Sequence, residues 1–460
     1  MDVLARLIAE LGDAVTADPA RLAAVRTDES GFLADGTPLA LVEAQGVEDV
    51  QATLRLANEA GIGVVARGAG TGLAAGAVGD QGVIVLSVAK MNRIIEIDPA
   101  NELAVVEPGV INADLDAALA PYGLWYAPDP ASKAISSIGG NIATNAGGLL
   151  CAKYGVTREA VLGLKVVLAD GRLLETGHRT VKGVTGYDLT ALFVGSEGTL
   201  GVVVEATVRV LPRPGGDVVT IGAFFPEVRQ AALASSAVVV ARLRPAVMEL
   251  LDGQALEAIR EYLGDELIRD AMGPATGDGF LLVQFDESPA AEKVLHAVEL
   301  LEQAGGQTRV STDAATGEQL LGIRRAFHAA LAARGQVLIE DVSVPRSRLA
   351  DAFDAIAAVS AQYGVRIPTA AHAGDGNLHP NFVLDGGAIT PTVRAAADAL
   401  FRAALALGGT LTGEHGVGIL KRHHLIDELG PDSYALQRQV KAVFDPRGIL
   451  NPGKVFETTQ

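Results

Sequence analysis

Between residues 47 and 60 apolar side chains recur at Val50, Leu54 and Ala57, the spacing of one helix face, and Gly61 ends the run. A strand is predicted at 63–66, leading into Arg67-Gly68-Ala69-Gly70-Thr71-Gly72-Leu73, and another at 83–88. Segments 164–169 and 172–175 flank Asp170-Gly171, a two-residue hairpin signal. Val202, Val204, Ala206, Val208 and Val210 alternate along a long strand and share one side of it. Pro212, Pro214 and the Gly215-Gly216 pair then mark a boundary. Beyond it, strands at 218–224, 280–285, 337–344 and 366–372 are interleaved with longer helices. Those helices are predicted at 227–241, 254–262, 290–304, 318–333, 347–363 and 393–407. Such alternation predicts an α+β domain with helices layered on an antiparallel sheet.

Composition narrows the choice. A chain of 460 residues with 49% hydrophobic and 20% charged residues is globular and large enough for two or three domains. Aromatics are only 4%, so the core rests on Ala, Val, Leu and Ile. A net charge of −18 repels phosphate backbones and excludes nucleic acid as a partner. An anionic substrate then needs a local cation. The single cysteine, Cys151, rules out an internal disulfide and any multi-thiolate metal site, and fits a reducing cytoplasm. Residues 1–11 form an amphipathic helix pattern carrying Asp2 and Glu10, unlike a secretory leader. No apolar run reaches the roughly 18 residues of a membrane span, so any attachment to the inner membrane is expected to be peripheral.

Glycine-rich stretches carry the first chemistry. The loop at 67–73 offers backbone N–H groups at close range, as a pyrophosphate cradle does. A Rossmann unit would follow it with a helix and an acidic residue about 20 positions on. Here the next strand ends in Ala89-Lys90, and Gly76 and Gly79 leave no room for the helix, so the Rossmann reading fails. A second stretch runs from Pro128 through Ser132 to Gly139-Gly140-Asn141-Ile142-Ala143-Thr144-Asn145-Ala146-Gly147-Gly148. With little side-chain volume to bury, it is expected to lie as irregular backbone against a long polar ligand rather than as a packed helix or strand. A third loop, Gly195-Ser196-Glu197-Gly198-Thr199-Leu200-Gly201, opens the long strand.

The second chemistry lies in Ala371-His372-Ala373-Gly374-Asp375-Gly376-Asn377-Leu378-His379-Pro380. Val365 and Ile367 before it, and Phe382 and Val383 after it, make this a hairpin around a Gly-Asp-Gly-Asn turn. A turn at 374–377 sets His372 opposite His379, where two imidazoles can share a metal ion. Glu414, in Gly413-Glu414-His415-Gly416, would add an oxygen ligand and leave coordination positions open.

These motifs, with Gly186-Tyr187-Asp188-Leu189 and the Asn451-Pro452-Gly453-Lys454 end, stand in one fixed order. Together they resemble the FAD-linked D-2-hydroxyacid dehydrogenases of the vanillyl-alcohol oxidase superfamily. That group holds D-lactate dehydrogenase, the glycolate oxidase flavin subunit and D-2-hydroxyglutarate dehydrogenase. The resemblance implies a p-cresol-methylhydroxylase-type FAD domain of two α+β subdomains over 1–214. It further implies an α+β cap domain over 215–408 with an antiparallel sheet, and a segment at 409–460 returning to the FAD. By the same resemblance FAD is held by Arg67, Gly68, Ala69, Gly70, Thr71 and Gly72, by Pro128 and Ser132, and by Gly139, Gly140, Asn141, Thr144, Asn145 and Gly147. Gly198, Val203 and Asn451 complete the set. Thr71 stands where covalently flavinylated relatives carry histidine, so the FAD is expected to be non-covalent.

Oxidising a 2-hydroxy acid removes a hydroxyl proton and a Cα hydride; flavin takes the hydride. A divalent metal, zinc or else manganese, on His372, His379 and Glu414 would lower the hydroxyl pKa, and His415 would accept the proton as base. Arg324 aligns with the family's carboxylate-binding arginine, with Arg325 beside it and His328 one turn on. Ile339 stands where the hydroxyglutarate enzymes place a lysine, which favours a monocarboxylate such as D-lactate. D-2-hydroxyglutarate, or a role as flavin subunit of a glycolate-oxidase-like complex, is the alternative. Electrons are expected to pass to a quinone, a cytochrome or an electron-transfer flavoprotein, and a homodimer is left open. Trp125 and Tyr126 are read as packing, Tyr187 as packing or flavin-adjacent, Cys151 as a small buried side chain, and His178, His423 and His424 as surface residues.

Overall fold

The computed structural model describes residues 2–264, 268, 270, 271, 276–287, 291–311, 313–384, 387 and 389–457. Met1 and Ala290, the starts of two predicted helices, lie outside the described residues. The chain forms two compact units, one made of Met1–Gly148, Gly155–Arg213 and Glu414–Gln460, the other of Leu149–Tyr154 and Pro214–Gly413.

Among the described residues unit one holds two larger sheets, each with helices, and a two-stranded pairing of Leu211–Pro212 with Leu124–Trp125. In the first, Ala40–Glu43, Ile84–Ser87 and Val64–Arg67 run parallel, and Val15–Thr16 is added antiparallel at the edge. The Val47–Ala60 helix packs Val50, Leu54 and Ala57 on it, as their spacing predicts. The second sheet is antiparallel, in the order Ile94–Asp98, Leu103–Val106, Val202–Arg209, Val161–Val167 and Leu173–Gly177. Val202, Val204, Ala206 and Val208 are all buried, so the predicted alternation holds. The return segment is anchored at its end: Val64 N–H donates to the Ile449 carbonyl (2.7 Å) and Asn451 N–H to the Val64 carbonyl (2.8 Å). It also contains a helix that periodicity does not announce, Leu425–Phe444, because Gly430 (φ 71°) and Pro431 interrupt it.

Unit two is built on an eight-stranded sheet, ordered Gln307–Val310, Val219–Phe225, Gly279–Phe285, Val247–Asp252, Thr369–His372, Asn377–Leu384 and Gln336–Ile339, with Val342–Ser343 also paired to Asn377–Leu384. Every pairing is antiparallel. On one face Ile221, Phe225, Leu281 and Val283 pack with Val228–Val240, Ala291–Gln303, Leu349–Tyr363 and Pro391–Ala406. On the other, Phe224, Leu251, Phe280 and Leu282 pack with Gly253–Leu263 and Ala314–Ala332. Each fully buried phenylalanine contributes about 1.5–3 kcal/mol of burial. This second face carries the site.

Five expectations change. The strand expected at 337–344 is two, because Glu340 and Asp341 break it and Asp341 is wholly buried. The stretch at 138–144 is a helix, Ile138–Thr144: the Ser137 hydroxyl caps it, and Ile138 and Ile142, one turn apart, are fully buried. Tyr187 is 95% exposed, so it is not packed. His424 is buried rather than on the surface, with Nδ1 beside Asp427, and Cys151 is only half-buried.

Candidate functional site

The histidine hairpin in unit two has a different register from the expected one. His372 pairs with Asn377, and His379 with Ala370, so the turn is 373–376 rather than 374–377. Gly376 takes the positive φ (92°) that closes the turn, and the Asp375 carboxylate accepts from Asn377 N–H. Moving the turn by one residue slips one strand against the other by two, which preserves parity. The two imidazoles are diagonal rather than opposed, yet share a face, with ring centroids 5.0 Å apart.

Each ring is backed by a buried carboxylate. Glu249, 1% exposed on the Val247–Asp252 strand, is the register partner of His372, and its Oε1 lies 2.7 Å from His372 Nδ1. Asp341 Oδ1 lies 3.9 Å from His379 Nδ1, and Asp341 Oδ2 accepts from the Thr412 hydroxyl (2.6 Å). With Glu249 ionised, Nδ1 of His372 carries the proton and Nε2 holds the lone pair. The His372 imidazole, oriented by Glu249, and the buried His379 beside it offer a donor set suited to a divalent ion.

Arg324 extends the network. From the Ala314–Ala332 helix its Nε donates to Glu249 Oε2 at 2.7 Å, which leaves its terminal amino groups as the fork for a carboxylate. Arg325 instead points to Glu318 on the surface, and His328 is exposed. Ile339 pairs with Asn381, two positions along from His379 on the same face. The Asn381 amide in turn donates to the His379 carbonyl (2.7 Å).

Unit one brings together the glycine stretches. A Cβ on Gly68 would stand 2.5 Å from the Ser137 hydroxyl oxygen, and one on Gly139 2.5 Å from Pro108 Cβ. Only glycine lets these backbones approach so closely. Asn112 ties Pro128 to the helix, donating to the Pro128 carbonyl (3.1 Å) and to Asn141 Oδ1 (3.2 Å). Ser132 contributes its carbonyl to Ile135 and Ser136, Thr144 bonds the Gly140 carbonyl, and Asn145 caps Arg158 N–H. Arg67 faces inward: it donates to the carbonyls of Thr27 (2.9 Å) and Ala77 (3.0 Å), and so shapes the loop. Ala69 is exposed and Thr71 half-buried on that loop, between Gly70 and Gly72. Near Gly72 the buried Asp28 has an Oδ2 with no hydrogen-bond partner among the described residues; burial pushes its carboxyl above the usual range. A flavin nucleotide, rich in ribitol and ribose hydroxyls, fits that acceptor and that close-packed backbone.

Asn451 and Glu197 fasten the return segment. Asn451 accepts from Ala66 N–H (2.9 Å) and donates to the Glu197 carbonyl (2.5 Å), beside Gly198. The Glu197 carboxylate accepts from Val417 N–H (2.7 Å) and Gly418 N–H (2.8 Å), two and three residues after His415. Glu414 lies against Gly147, where a Cβ would come within 2.6 Å of its Oε2. Val203 belongs to the long strand, paired with Val166.

Pattern reading misses Glu249 and Asp341, the buried carboxylates near the two histidines. The Val247–Asp252 strand was not expected, although an acid alone in the run Val-Met-Glu-Leu-Leu is a signal of a buried, paired carboxylate.

The chain is similar to known proteins over most of its length. Residues 38–177 match a family described as an FAD binding domain, and residues 216–455 one described as FAD linked oxidases, C-terminal domain. The chain is 40% identical to the glycolate oxidase subunit GlcD of Bacillus subtilis, over 91% of this chain and 89% of that one. It is 36% identical to the D-lactate dehydrogenase of Archaeoglobus fulgidus, over 90% of both. Among solved structures, p-cresol methylhydroxylase matches with a TM-score of 0.78 at 19% identity, over 98% of this chain and 96% of that one, a likeness of fold.

Proposed function

Because the chain belongs to the FAD-linked oxidases and is a flavin-dependent oxidoreductase, we propose that it oxidises a D-2-hydroxy acid bearing one carboxylate, such as D-lactate, to the 2-oxo acid. The observation that carries this reading is the buried face on which His372, His379, Glu249 and Arg324 stand together. Arg324 binds the substrate carboxylate through its fork, supplying the local cation that a chain of net charge −18 requires. His372, His379 and Glu414 would hold a divalent ion, zinc before manganese. The glycine stretches at 67–72 and 136–147, with Gly198 and Asn451, hold FAD without a covalent bond, since Thr71 offers no flavin attachment. Bound FAD supplies a two-electron acceptor for the Cα hydride, and the ion polarises the hydroxyl. His415 takes the hydroxyl proton, on a loop whose direction is set by Glu197. Ile339 gives no partner to a second carboxylate.

A panel of D- and L-2-hydroxy acids with a reducible dye tests the reading. D-lactate or another monocarboxylate is expected to outpace D-2-hydroxyglutarate, with the L-acids inactive. Turnover confined to the dicarboxylate would overturn the substrate assignment.

A further inference from the structure

Resting on the hydroxy-acid reading, we propose that Glu249 is a positioning residue that couples metal binding at His372 to carboxylate binding at Arg324. Its two oxygens are divided between them, Oε1 at 2.7 Å from His372 Nδ1 and Oε2 at 2.7 Å from Arg324 Nε. Its side chain is 1% exposed, so its charge is shared by these neighbours and not by water. Three separate elements meet here: the Val247–Asp252 strand, the Thr369–His372 strand and the Ala314–Ala332 helix. Strand register makes the first contact obligatory, since Glu249 and His372 are direct partners.

One negative charge serving two donors makes each bond depend on the other. Arg324 draws charge from Glu249 and weakens it as an acceptor for the imidazole. A substrate carboxylate in the guanidinium fork offsets that pull and returns charge to Oε1. A stronger Oε1 bond makes Nε2 of His372 a better metal ligand. Substrate carboxylate and divalent ion therefore reinforce one another, and by linkage the effect is reciprocal.

The test is the zinc affinity of the flavin-loaded protein, measured by competition with a chromophoric chelator. Glu249→Gln is expected to weaken zinc about 10- to 100-fold, the usual effect of losing a carboxylate behind a ligating histidine. Arg324→Met leaves the whole Glu249 charge on His372. It is expected to bind zinc at least as tightly as the parent while raising KM for D-lactate more than tenfold. Flavin content and thermal midpoint report folding. If either single variant does not fold, the Glu249→Gln/Arg324→Met double variant, which removes both buried charges, is expected to fold and to bind zinc as weakly as Glu249→Gln. A folded Glu249→Gln or double variant with zinc affinity within twofold of the parent overturns the coupling. So does Arg324→Met losing zinc as severely as Glu249→Gln. A parent protein that binds no zinc or manganese overturns the metal reading itself, and the coupling with it.

Discussion

A carboxylate as deeply buried as Glu249 persists in a fold only when its charge is matched, and Arg324 and His372 match it. The residues a pattern can find are those that punctuate: His372 and His379 around a glycine turn, Glu414 between glycines. Glu249 left one sequence signal, an acid alone in an apolar run, and Asp341 none, because their partners lie 123 residues away for one and 38 for the other. Arg324 was legible only through the resemblance; as a helix arginine it looks like many others. Ile339 gives the residue-scale prediction. It shares a face with His379 through its pairing with Asn381, so a lysine there reaches the same surface. Ile339→Lys is expected to raise the turnover ratio of D-2-hydroxyglutarate to D-lactate tenfold or more, read from kcat/KM for each. An unchanged ratio would place residue 339 away from the substrate.

At the scale of elements, the hairpin survived a mistaken turn because a period of two protects facing: the register slipped by two residues and the imidazoles stayed on one side. The second glycine stretch became a helix because Ser137 caps it and Ile138 and Ile142 bury one stripe, a pattern too short to outweigh its glycines by eye. Gly376 fixes the hairpin turn: its φ is 92°, and a Cβ would stand 2.2 Å from the Val344 carbonyl oxygen. Gly376→Ala is expected to cost at least about 2 kcal/mol, seen as a lowered denaturation midpoint. An unshifted midpoint would show that the turn adopts another conformation. Asp252 caps the Gly253–Leu263 helix, accepting from Ala255 N–H at 2.7 Å, and burial pushes its carboxyl up to about 7. The unfolded chain ionises this group near pH 4 while the folded chain keeps its proton to about pH 7. Stability from this group is therefore greatest below pH 4 and declines as pH rises to about 7. Asp252→Asn retains the cap without the charge. It is expected to stabilise the protein by about 1–3 kcal/mol at pH 8 and by much less at pH 4.5 in paired urea melts. An equal effect at both pH values would contradict the buried-acid assignment.

At the scale of the whole molecule, the chain leaves unit one after Arg213 and re-enters it at Glu414, with unit two inserted between. The boundary near Pro212–Gly216 was legible as punctuation. The Val64 anchoring of the return segment was not, since the bonds join residues nearly 400 positions apart. Leu149–Tyr154 crossing into unit two was also hidden; it is held there by Lys153 and Tyr154, both bonded to the Asp286 carboxylate at 2.5 Å. Among the described residues no helix is long and apolar enough to cross a membrane. In the proposed reading the chain carries two chemistries, a flavin cradle in one unit and an ion-and-carboxylate face in the other. The claim that they act on one substrate is tested most directly by anaerobic titration of the purified flavoprotein with D-lactate, following the flavin absorbance. Prompt bleaching is predicted for the metal-loaded protein, abolished by a chelator and restored by zinc or manganese. Equally fast bleaching with the metal removed, or none with any D-2-hydroxy acid, would contradict it.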